Sequence, residues 1–494
     1  MPPPNLLFMY TDEQRYDTLA CYGNTTIQMP NLNRLAEEAT VFERTYVTQP
    51  VCTPSRSSLL TGLWPHTNGL TENNIPLRPE TKCLPELLKP GVFSCGHHGK
   101  WHLGDEVFAQ HGFEDWQATE DTYHVYYRPS RDQAERSAFH HWLVARGHKP
   151  SPRTDLPPDI ASRFFRDQIA RLPEEHSRPA FLGEQAARFI REHRSRPWVL
   201  FVNFLEPHMP FYSCRDNQYD PAKVIVPGNL DTDGRSLHTL RQKLSAARYR
   251  RRGFEAQKLG TEQGWRELIA RYWGLCSLVD THAGRMLDAL RESGQYDNTI
   301  VLFTSDHGDL MGSHGLLGKG FMFEESARVP FLLKLPGQRK QRRVTCAVSQ
   351  ISIVPTLLDL MGQSIPSCLP GRSLRPLVEA PAKGGGEDIF IEWNRDVDRT
   401  RPPAPLPDFA AGLATPEQAH AAKCEEIRTV VTPDGWKFNW STVGEHELFN
   451  LTEDPLELRN LAGEPAQQGR MRELARRIRG WQASTADTLT LPEL

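Results

Sequence analysis

The sequence lacks any uninterrupted apolar run long enough to cross a bilayer, which takes roughly 20 residues in a helix. Its first apolar run, residues 5–10, is short and predicts a buried strand. The residues before that run show neither the basic segment nor the cleavage site of a secretory signal peptide. We therefore expect no membrane association and a cytoplasmic location.

An excess of charge of either sign is also missing. Of 494 residues, 58 are Lys or Arg and 61 are Asp or Glu, so the formal net charge is -3. Such a balance gives no bulk attraction to nucleic acid or anionic lipid, and we expect neither as a partner. The length and the 38% of hydrophobic residues instead predict an enzyme of ordinary composition with two domains.

Paired cysteines are absent as well. The nine cysteines are dispersed along the chain, without a Cys-x-x-Cys pair or the clustering of a zinc site. An odd and scattered set favours reduced thiols over a disulfide framework. The context of one cysteine, Cys52, sets it apart from the others.

Short apolar runs alternate with helical patterns through most of the chain. Strands are predicted at residues 5–10, 198–205, 299–304 and 329–335, and helices at 31–39, 183–193 and 267–293. This alternation predicts an α/β fold with a mixed, largely parallel sheet flanked by helices. A polar motif directly follows each of the first three strands. Because ligands gather at the carboxyl ends of strands in such sheets, these motifs are expected in one crevice.

The domain boundaries follow from composition. Residues 1–380 are predicted to form a catalytic domain, with an insertion at about 115–179 that is rich in charge, proline and tyrosine. Residues 230–264 are basic and predict a solvated helix. After a glycine-rich linker at 381–386, residues 387–494 predict a smaller α+β subdomain with an antiparallel sheet. Its strands are expected at 388–393, 427–431 and 437–440, and its amphipathic helix at about 465–483.

The run from Cys52 through Pro54 and Ser55 to Arg56 combines a cysteine with a helix start. Proline in the first turn of a helix loses no needed hydrogen bond, and the free N–H groups there favour an anion. By itself such a run is more often a buried free cysteine before a helix.

Acidic residues follow two of the predicted strands. Asp12 and Glu13 come after the first, and Asp306 and His307 follow the strand at 299–304. Hard divalent cations prefer several oxygen ligands, which carboxylates at two strand ends can supply. An acidic pair after a strand is more often a helix cap or a turn.

Basic residues occur in three further motifs. Lys100 and His102 lie two residues apart, so both side chains point to one side of an extended backbone. His208 lies between Pro207 and Pro210, which restrict its backbone, and Lys319 lies in a glycine-rich loop. Lysine can neutralise an anion, and histidine can move protons at neutral pH. Each could also be an ordinary exposed or core-edge side chain.

Together and in this order, these motifs resemble those of the formylglycine-dependent (type I) sulfatase family, which has an alkaline-phosphatase-like fold. Further matches at residues 353–359 and 447–462 extend the resemblance over almost the full chain. The resemblance implies that a maturation enzyme converts Cys52 to formylglycine, whose hydrate is the nucleophile toward sulfur. It also implies one divalent metal ion, most simply Ca2+ with Mg2+ or Mn2+ as alternatives. The implied metal ligands are Asp12, Glu13, Asp306, His307 and the modified Cys52.

The resemblance assigns a role to each basic residue as well. Lys100, Lys319 and His208 would bind sulfate oxygens, and Arg56 would hold the nucleophile. His208 would assist the leaving group, and His102 would take the proton when sulfate is expelled. Glu13 departs from the family pattern, in which Asp or Gln is common, so it is the weakest of the implied metal ligands.

The expected function is therefore hydrolysis of an aryl or carbohydrate sulfate ester, with a sulfated small molecule or saccharide as substrate. One alternative is hydrolysis of phosphonate monoesters or phosphodiesters by the same superfamily, against which Ser55 argues. The other is an inactive metal-binding or interaction protein on the same fold, against which the complete set of polar motifs argues.

Overall fold

A computed structural model describes residues 3–150, 163–380, 386–395, 397 and 400–494. At its centre lies a sheet of nine strands. The strands are β1 (Asn5–Asp12), β2 (Thr40–Tyr46), β3 (Ser94–Gly99), β4 (Asp115–Ala118), β5 (Trp198–Pro207), β6 (Thr299–Ser305), β7 (Arg328–Val329), β8 (Phe331–Lys334) and β9 (Arg342–Ser349).

The sheet is mixed and largely parallel, as predicted. Its order is β4-β3-β5-β1-β6-β8-β2-β7, and β9 pairs with β2. Strands β4, β3, β5, β1 and β6 run parallel to one another, and antiparallel pairing begins between β6 and β8. The polar residues that follow β1, β5 and β6 consequently meet at one edge of the sheet.

Fourteen α-helices are found in the described residues, on both faces of this sheet and in the C-terminal part of the chain. They are α1 (Pro30–Glu37), α2 (Cys52–Thr61), α3 (Pro65–Asn68), α4 (Leu84–Leu87), α5 (Ala138–Ala145), α6 (Arg166–Ile169), α7 (Arg178–Glu192), α8 (Leu240–Arg252), α9 (Glu262–Glu292), α10 (Glu324–Ala327), α11 (Ile353–Leu360), α12 (Arg375–Glu379), α13 (Pro416–Lys423) and α14 (Gln468–Thr485).

The central strand β1 shows why its sequence is a continuous apolar run. Leu7 and Met9 belong to one core cluster, together with residues of α7 and α9. Leu6 and Phe8 belong to a second cluster on the opposite face, together with residues of α2 and α11. Because side chains alternate along a strand, a strand buried on both faces must be apolar at every position.

Three of the predicted elements differ from the structure in extent. Of the helix predicted at 230–264, the structure forms α8, which ends at Arg252, and the first turn of α9; Gly253, with a φ of 65°, follows the end of α8. Part of α8 is buried, so the expectation of one solvated helix was wrong. Pro330 separates β7 from β8 within the strand predicted at 329–335. The start of the predicted insertion forms β4, which pairs with β3.

A second sheet of four antiparallel strands lies in the C-terminal part of the chain, as the sequence predicts. Its strands, in spatial and chain order, are β10 (Ile389–Trp393), β11 (Ile427–Val431), β12 (Trp436–Ser441) and β13 (Glu447–Asn450). The helix α14 packs on one face of this sheet. The other face shares a core cluster with Tyr46 and Met322 of the larger part. Most of the predicted linker, 381–385, lies outside the described residues.

Two expectations drawn from missing features can be compared with the structure. All nine cysteines have free thiols. None of the helices within the described ranges is long and apolar enough to cross a membrane.

Candidate active site

The site is built on the carboxyl ends of β1 and β6. These strands pair in register from Asn5 with Thr299 to Thr11 with Ser305, which places Asp12 beside Asp306. The backbone N–H of Asp306 donates to the carbonyl of Thr11 at 3.0 Å. Both carboxylates are fully buried. The adjacent strand ends therefore bring two buried acidic side chains into one crevice.

Cys52 lies at the first position of α2, a helix whose residues are all buried. Its Sγ atom is 3.7 Å from Asp12 Oδ1 and 3.3 Å from Nε2 of His307. The Ser55 hydroxyl donates to the carbonyl of Asp306, and the Thr53 hydroxyl donates to the carbonyl of His102 at 2.9 Å. The start of the helix is thus fixed on both sides, and Cys52 points into the acidic crevice.

Ligand atoms of Asp12, Cys52, Asp306 and His307 all lie within 4.8 Å of one another. His307 Nδ1 lies 2.9 Å from the carbonyl of Gly308, which can only accept, so Nδ1 carries the proton. In the neutral ring, Nε2 then turns a lone pair toward the cluster, as a metal-binding histidine requires. Two carboxylates and one imidazole nitrogen therefore fit a divalent cation.

The pKa values in this cluster reflect burial and opposite charges. Burial alone would raise the pKa of Asp12, but Lys100 and Arg56 hold it well below its usual range. Burial alone would lower the pKa of His307, but the negative charges of Asp306 and Cys52 raise it to about 9.

Glu13 directs its carboxylate to the other side of the crevice. Its Oε1 accepts from Lys319 Nζ at 3.0 Å, and its Oε2 lies 3.5 Å from His208 Nε2. It shares a possible metal-binding group with Asp12 and His208 rather than with Cys52. Burial raises the pKa of Glu13 to about 7, although Lys319 acts in the opposite direction. Metal ligation by Glu13 stays a prediction.

Arg56 contacts both carboxylates of the crevice. Its Nη2 lies 2.8 Å from Asp12 Oδ2 and 2.8 Å from Asp306 Oδ2, and its Nη1 donates to Asn203 Oδ1 at 2.8 Å. The side chain is fully buried. A planar guanidinium can hold two carboxylates in a fixed orientation, which a lysine could not do.

Lys100 follows the end of β3, at Gly99, and its Nζ donates to Asp12 Oδ2. The loop after it is held by Glu106, whose carboxylate accepts from the backbone N–H of Trp101 at 2.7 Å and of His102 at 2.6 Å. His102 has a φ of 60°, so its backbone is in the left-handed region and depends on this support.

The His102 ring is oriented by two neighbours. Its Nε2 lies 2.9 Å from Asn74 Oδ1, and its face stacks on Tyr123 with the ring centroids 4.2 Å apart. With the proton on Nε2, the buried Nδ1 has no partner among the described residues and carries a lone pair. Burial and the charge of Lys100 hold the pKa of His102 well below its usual range. The ring is thus neutral, with a lone pair on Nδ1.

His208 has the opposite arrangement. Its Nδ1 donates to the carbonyl of Met209 at 2.7 Å, so Nε2 faces the crevice beside Glu13. Burial and the charge of Lys319 lower its pKa well below the usual value. The structure therefore brings together every site residue that the sequence singles out.

Trp64, Trp101 and Trp393, which could in principle stack on a substrate ring, pack against other side chains. Trp64 packs edge-on against Trp481 at 5.1 Å, and Trp101 is fully buried beside His97. Trp393 lies under the Arg241 guanidinium at 4.2 Å.

Three residues of the site have no signal in the sequence. Asn74 lies in an irregular loop, and the Glu106 carboxylate accepts only from backbone groups. Asn203 lies within β5 and accepts a hydrogen bond from Arg56. Asn74 has a φ of 69°, a conformation that asparagine adopts more readily than most residues. Nothing local distinguishes it from an ordinary turn residue.

Comparison with known proteins agrees with this geometry. The curated N-acetylglucosamine-6-O-sulfatase of Bacteroides thetaiotaomicron is 25% identical over 98% of this chain and 87% of its own length. The multifunctional alkaline phosphatase superfamily protein PehA of Trinickia caryophylli is 27% identical over 99% of this chain and 97% of its own length.

Among solved structures, the phosphonate monoester hydrolase of Silicibacter pomeroyi superposes with a TM-score of 0.74, over 98% of this chain and 96% of that one. At 22% identity, this likeness shows the shared fold alone. The sulfatase family model matches residues 4–363, which is well over half of the chain and includes every site residue described above. The chain therefore belongs to the sulfatase family of sulfuric ester hydrolases, in the alkaline-phosphatase-like superfamily.

Proposed function

We propose that this chain hydrolyses sulfate esters with formylglycine, made from Cys52, as its nucleophile. The observation that carries the proposal is the placement of Cys52 at the start of a buried helix, within 3.7 Å of Asp12 and 3.3 Å of His307. A cysteine with a merely structural role would not need to face a cluster of metal ligands.

Asp12, Asp306 and His307 would hold the divalent metal together with the side chain at position 52. When bound, the metal and the aldehyde hydrate supply a Lewis acid and an oxygen nucleophile. Ca2+ suits a ligand set dominated by oxygen, and the same set disfavours copper. Cys52 is 1% exposed in the folded chain. A maturation enzyme could therefore reach its side chain only before the chain has folded around it.

The cations of the site bind and orient the sulfate group. Lys100 and Lys319 place ammonium groups at the crevice, each beside a carboxylate that fixes its position. Cationic groups that are already oriented stabilise developing negative charge without further reorganisation. Arg56 holds Asp12 and Asp306 in place rather than contacting the substrate.

The two histidines would act at different steps. The anionic substrate raises the pKa of His208, so a proton can reside on Nε2 and pass to the leaving oxygen. His102 accepts a proton at Nδ1 in the step that releases sulfate, because its Nε2–H remains bound to Asn74. Positioned proton transfer of this kind typically contributes 10²–10⁴ in rate.

The substrate class is proposed as an aryl or carbohydrate sulfate. Similarity to a curated N-acetylglucosamine-6-O-sulfatase over 98% of the chain supports a sulfated saccharide. A screen of sulfated sugars, aryl sulfates and choline sulfate, read out as released sulfate, would identify the class.

The test of the nucleophile is mass spectrometry of the peptide that contains Cys52, combined with kinetics. The aldehyde should replace the thiol, and Cys52→Ala should lose nearly all turnover of 4-nitrophenyl sulfate. Cys95→Ala, which changes another buried thiol, is the matched control and should keep its activity. Full turnover by Cys52→Ala would exclude the proposed nucleophile.

Hydrolysis of phosphonate monoesters or phosphodiesters is the second candidate. This activity is supported by the fold shared with a phosphonate monoester hydrolase and by the similarity to a multifunctional relative. Ser55 favours the sulfatase activity. Its hydroxyl contacts the carbonyl of Asp306 and the side chain of Gln350, and so ties α2 to the residues around the crevice. The ratio of kcat/KM for an aryl sulfate to that for a phenyl phosphonate ester decides between the two.

A further inference from the structure

The side chains that would hold the metal include a sulfur atom as long as Cys52 is unmodified. Its Sγ lies 3.3 Å from His307 Nε2 and 3.7 Å from Asp12 Oδ1. The same Nε2 lies 3.7 Å from Oδ1 of Asp12 and 3.7 Å from Oδ1 of Asp306. Before any modification, one sulfur, one nitrogen and two carboxylate oxygens therefore surround one small volume.

These separations suit a four-coordinate zinc ion. Zinc binds thiolate sulfur at about 2.3 Å and imidazole nitrogen or carboxylate oxygen at about 2.0–2.2 Å, with tetrahedral geometry in closed sites. Ligand atoms placed in this way lie about 3.3–3.6 Å from one another. The distances of 3.3 and 3.7 Å in the cluster are close to these values. Calcium instead takes about six to eight oxygen ligands.

Neighbouring groups already orient the ligands. His307 Nδ1 donates to the carbonyl of Gly308 at 2.9 Å, which leaves the lone pair of Nε2 for a metal. Arg56 contacts Oδ2 of Asp12 and Oδ2 of Asp306, each at 2.8 Å, so that Oδ1 of each carboxylate is left for the cluster. Contacts that fix the ligands in this way strengthen metal binding.

The charges around the cluster also fit a bound thiolate. A zinc ion with one thiolate and two carboxylates leaves an excess negative charge, and all of these ligands are buried. Arg56 contacts both carboxylates, and the Lys100 ammonium group contacts Asp12. A buried charge is tolerated when it is paired, as it is here.

We propose that the unmodified chain binds one Zn2+ through these four ligands, and that conversion of Cys52 to formylglycine weakens this zinc site. Thiolate ligands favour zinc, whereas oxygen ligands favour calcium, magnesium or manganese. Conversion replaces the sulfur by oxygen and therefore changes the metal preference of the site. The inference rests on the proposed conversion of Cys52 and adds a difference in metal binding between the immature and the mature chain.

A zinc titration of the full chain tests the proposal. The protein is produced without the maturation enzyme, the Cys52 thiol is verified by peptide mass spectrometry, and Zn2+ is added in competition with a chromophoric chelator. We expect binding at least about 100-fold tighter than in Cys52→Ser, because even residues that only support a metal ligand contribute 10–100-fold. Binding should also release the thiol proton, which a pH indicator detects. Equal zinc affinities of the two proteins would overturn the proposal.

Cobalt gives a direct probe of the sulfur ligand. Co2+ bound by a thiolate shows an intense sulfur-to-metal charge-transfer band in the near ultraviolet, which an oxygen ligand does not give. The unmodified chain should show this band, and Cys52→Ser should not. Another possible ligand group with a cysteine consists of Cys83, Glu86 and His111, so Cys83→Ser is the matched control and should keep the band. Loss of the band in Cys83→Ser, or its persistence in Cys52→Ser, would refute ligation by Cys52.

The converted chain separates this proposal from the proposed function. Its zinc affinity should be at least about 100-fold lower than that of the unmodified chain, and equal affinities would refute the effect of conversion. If the converted chain hydrolyses 4-nitrophenyl sulfate but the unmodified chain binds zinc no more tightly than Cys52→Ser, only the zinc site is refuted. If zinc binds through Cys52 but the converted chain has no sulfatase activity, only the proposed function is refuted.

Discussion

Asn74 offers the sharpest test of the proposed proton transfer, because its side chain bonds to the His102 ring and, in the part of the chain that the structure describes, to no other proposed catalytic group. Asn74→Gly removes the acceptor for His102 Nε2 and accommodates the φ of 69° without strain. The neutral His102 ring could then carry its proton on either nitrogen, and only the form with a bare Nδ1 can act as the base. Asn74 is therefore a positioning residue.

The expected magnitude follows from what remains after the change. The Tyr123 stack and the bond from Thr53 to the His102 carbonyl still hold the ring in place. Only one neutral hydrogen bond is lost, at about 1 kcal/mol, so kcat should fall about tenfold or less. His102→Ala removes the base itself and should cost roughly 10²–10⁴. Both variants should accumulate sulfated enzyme on the first turnover, visible by intact-protein mass spectrometry.

The pH profile provides a readout that loss of packing would not change. Asn74→Asp places a carboxylate next to Nε2–H, which stabilises the imidazolium and raises the pKa of His102. Since the neutral ring is the active form, the loss of kcat on acidification should begin at a higher pH than in the unchanged enzyme. Asn73→Asp adds the same charge to the same loop, but Asn73 bonds to the Thr53 N–H instead of the ring.

Rates on 4-nitrophenyl sulfate across the pH range would decide whether His102 is the base and Asn74 its positioning residue. A loss in Asn74→Gly as large as in His102→Ala would show that Asn74 does more than fix the tautomer. An unshifted acid limb in Asn74→Asp, or an equal shift in Asn73→Asp, would refute the assignment of His102 as the base.

Three other predictions follow from the same geometry. Asp306→Ala should lose the bound metal, and undiminished metal content by elemental analysis would contradict the assigned ligands. His208→Ala should slow sugar sulfates more than 4-nitrophenyl sulfate, because an activated phenolate needs little protonation; equal defects would exclude His208 as the acid. Despite burial, Arg166 and Arg178 lower the pKa of Glu120 to about 2, so this carboxylate stabilises the fold by about 3 kcal/mol at neutral pH. That contribution is lost as the pH falls from about 4.5 through about 2, and the gap in urea stability between the unchanged protein and Glu120→Gln should shrink accordingly.

The sequence could predict the central sheet and the site because both depend on local patterns. Each buried strand is apolar along its whole length, and its last residues change abruptly to Asp, Glu or His. Asp12 and Asp306 could be paired before the structure was known, because strand ends in a parallel sheet share one edge. The order of the motifs then identified the family.

The sequence could not predict contacts that arise only from tertiary packing. Asn74 reaches His102 across 28 positions of the chain, and Glu106 binds backbone groups that any residue would offer. The helix α8 packs against α13, which lies far along the chain in the smaller part. The basic pattern of 230–264 predicted exposure, yet Arg241 is buried against the Trp393 ring.

The charges of the site make metal binding and substrate binding interdependent. Lys319 is paired with Glu13, Lys100 with Asp12, and Arg56 with both Asp12 and Asp306. Because carboxylates already compensate these cations, the side chains alone offer an anionic ester little net attraction. We infer that the excess positive charge comes from the divalent ion that the same carboxylates would hold. Linkage then requires sulfate to strengthen metal binding by the same factor by which the metal strengthens sulfate binding.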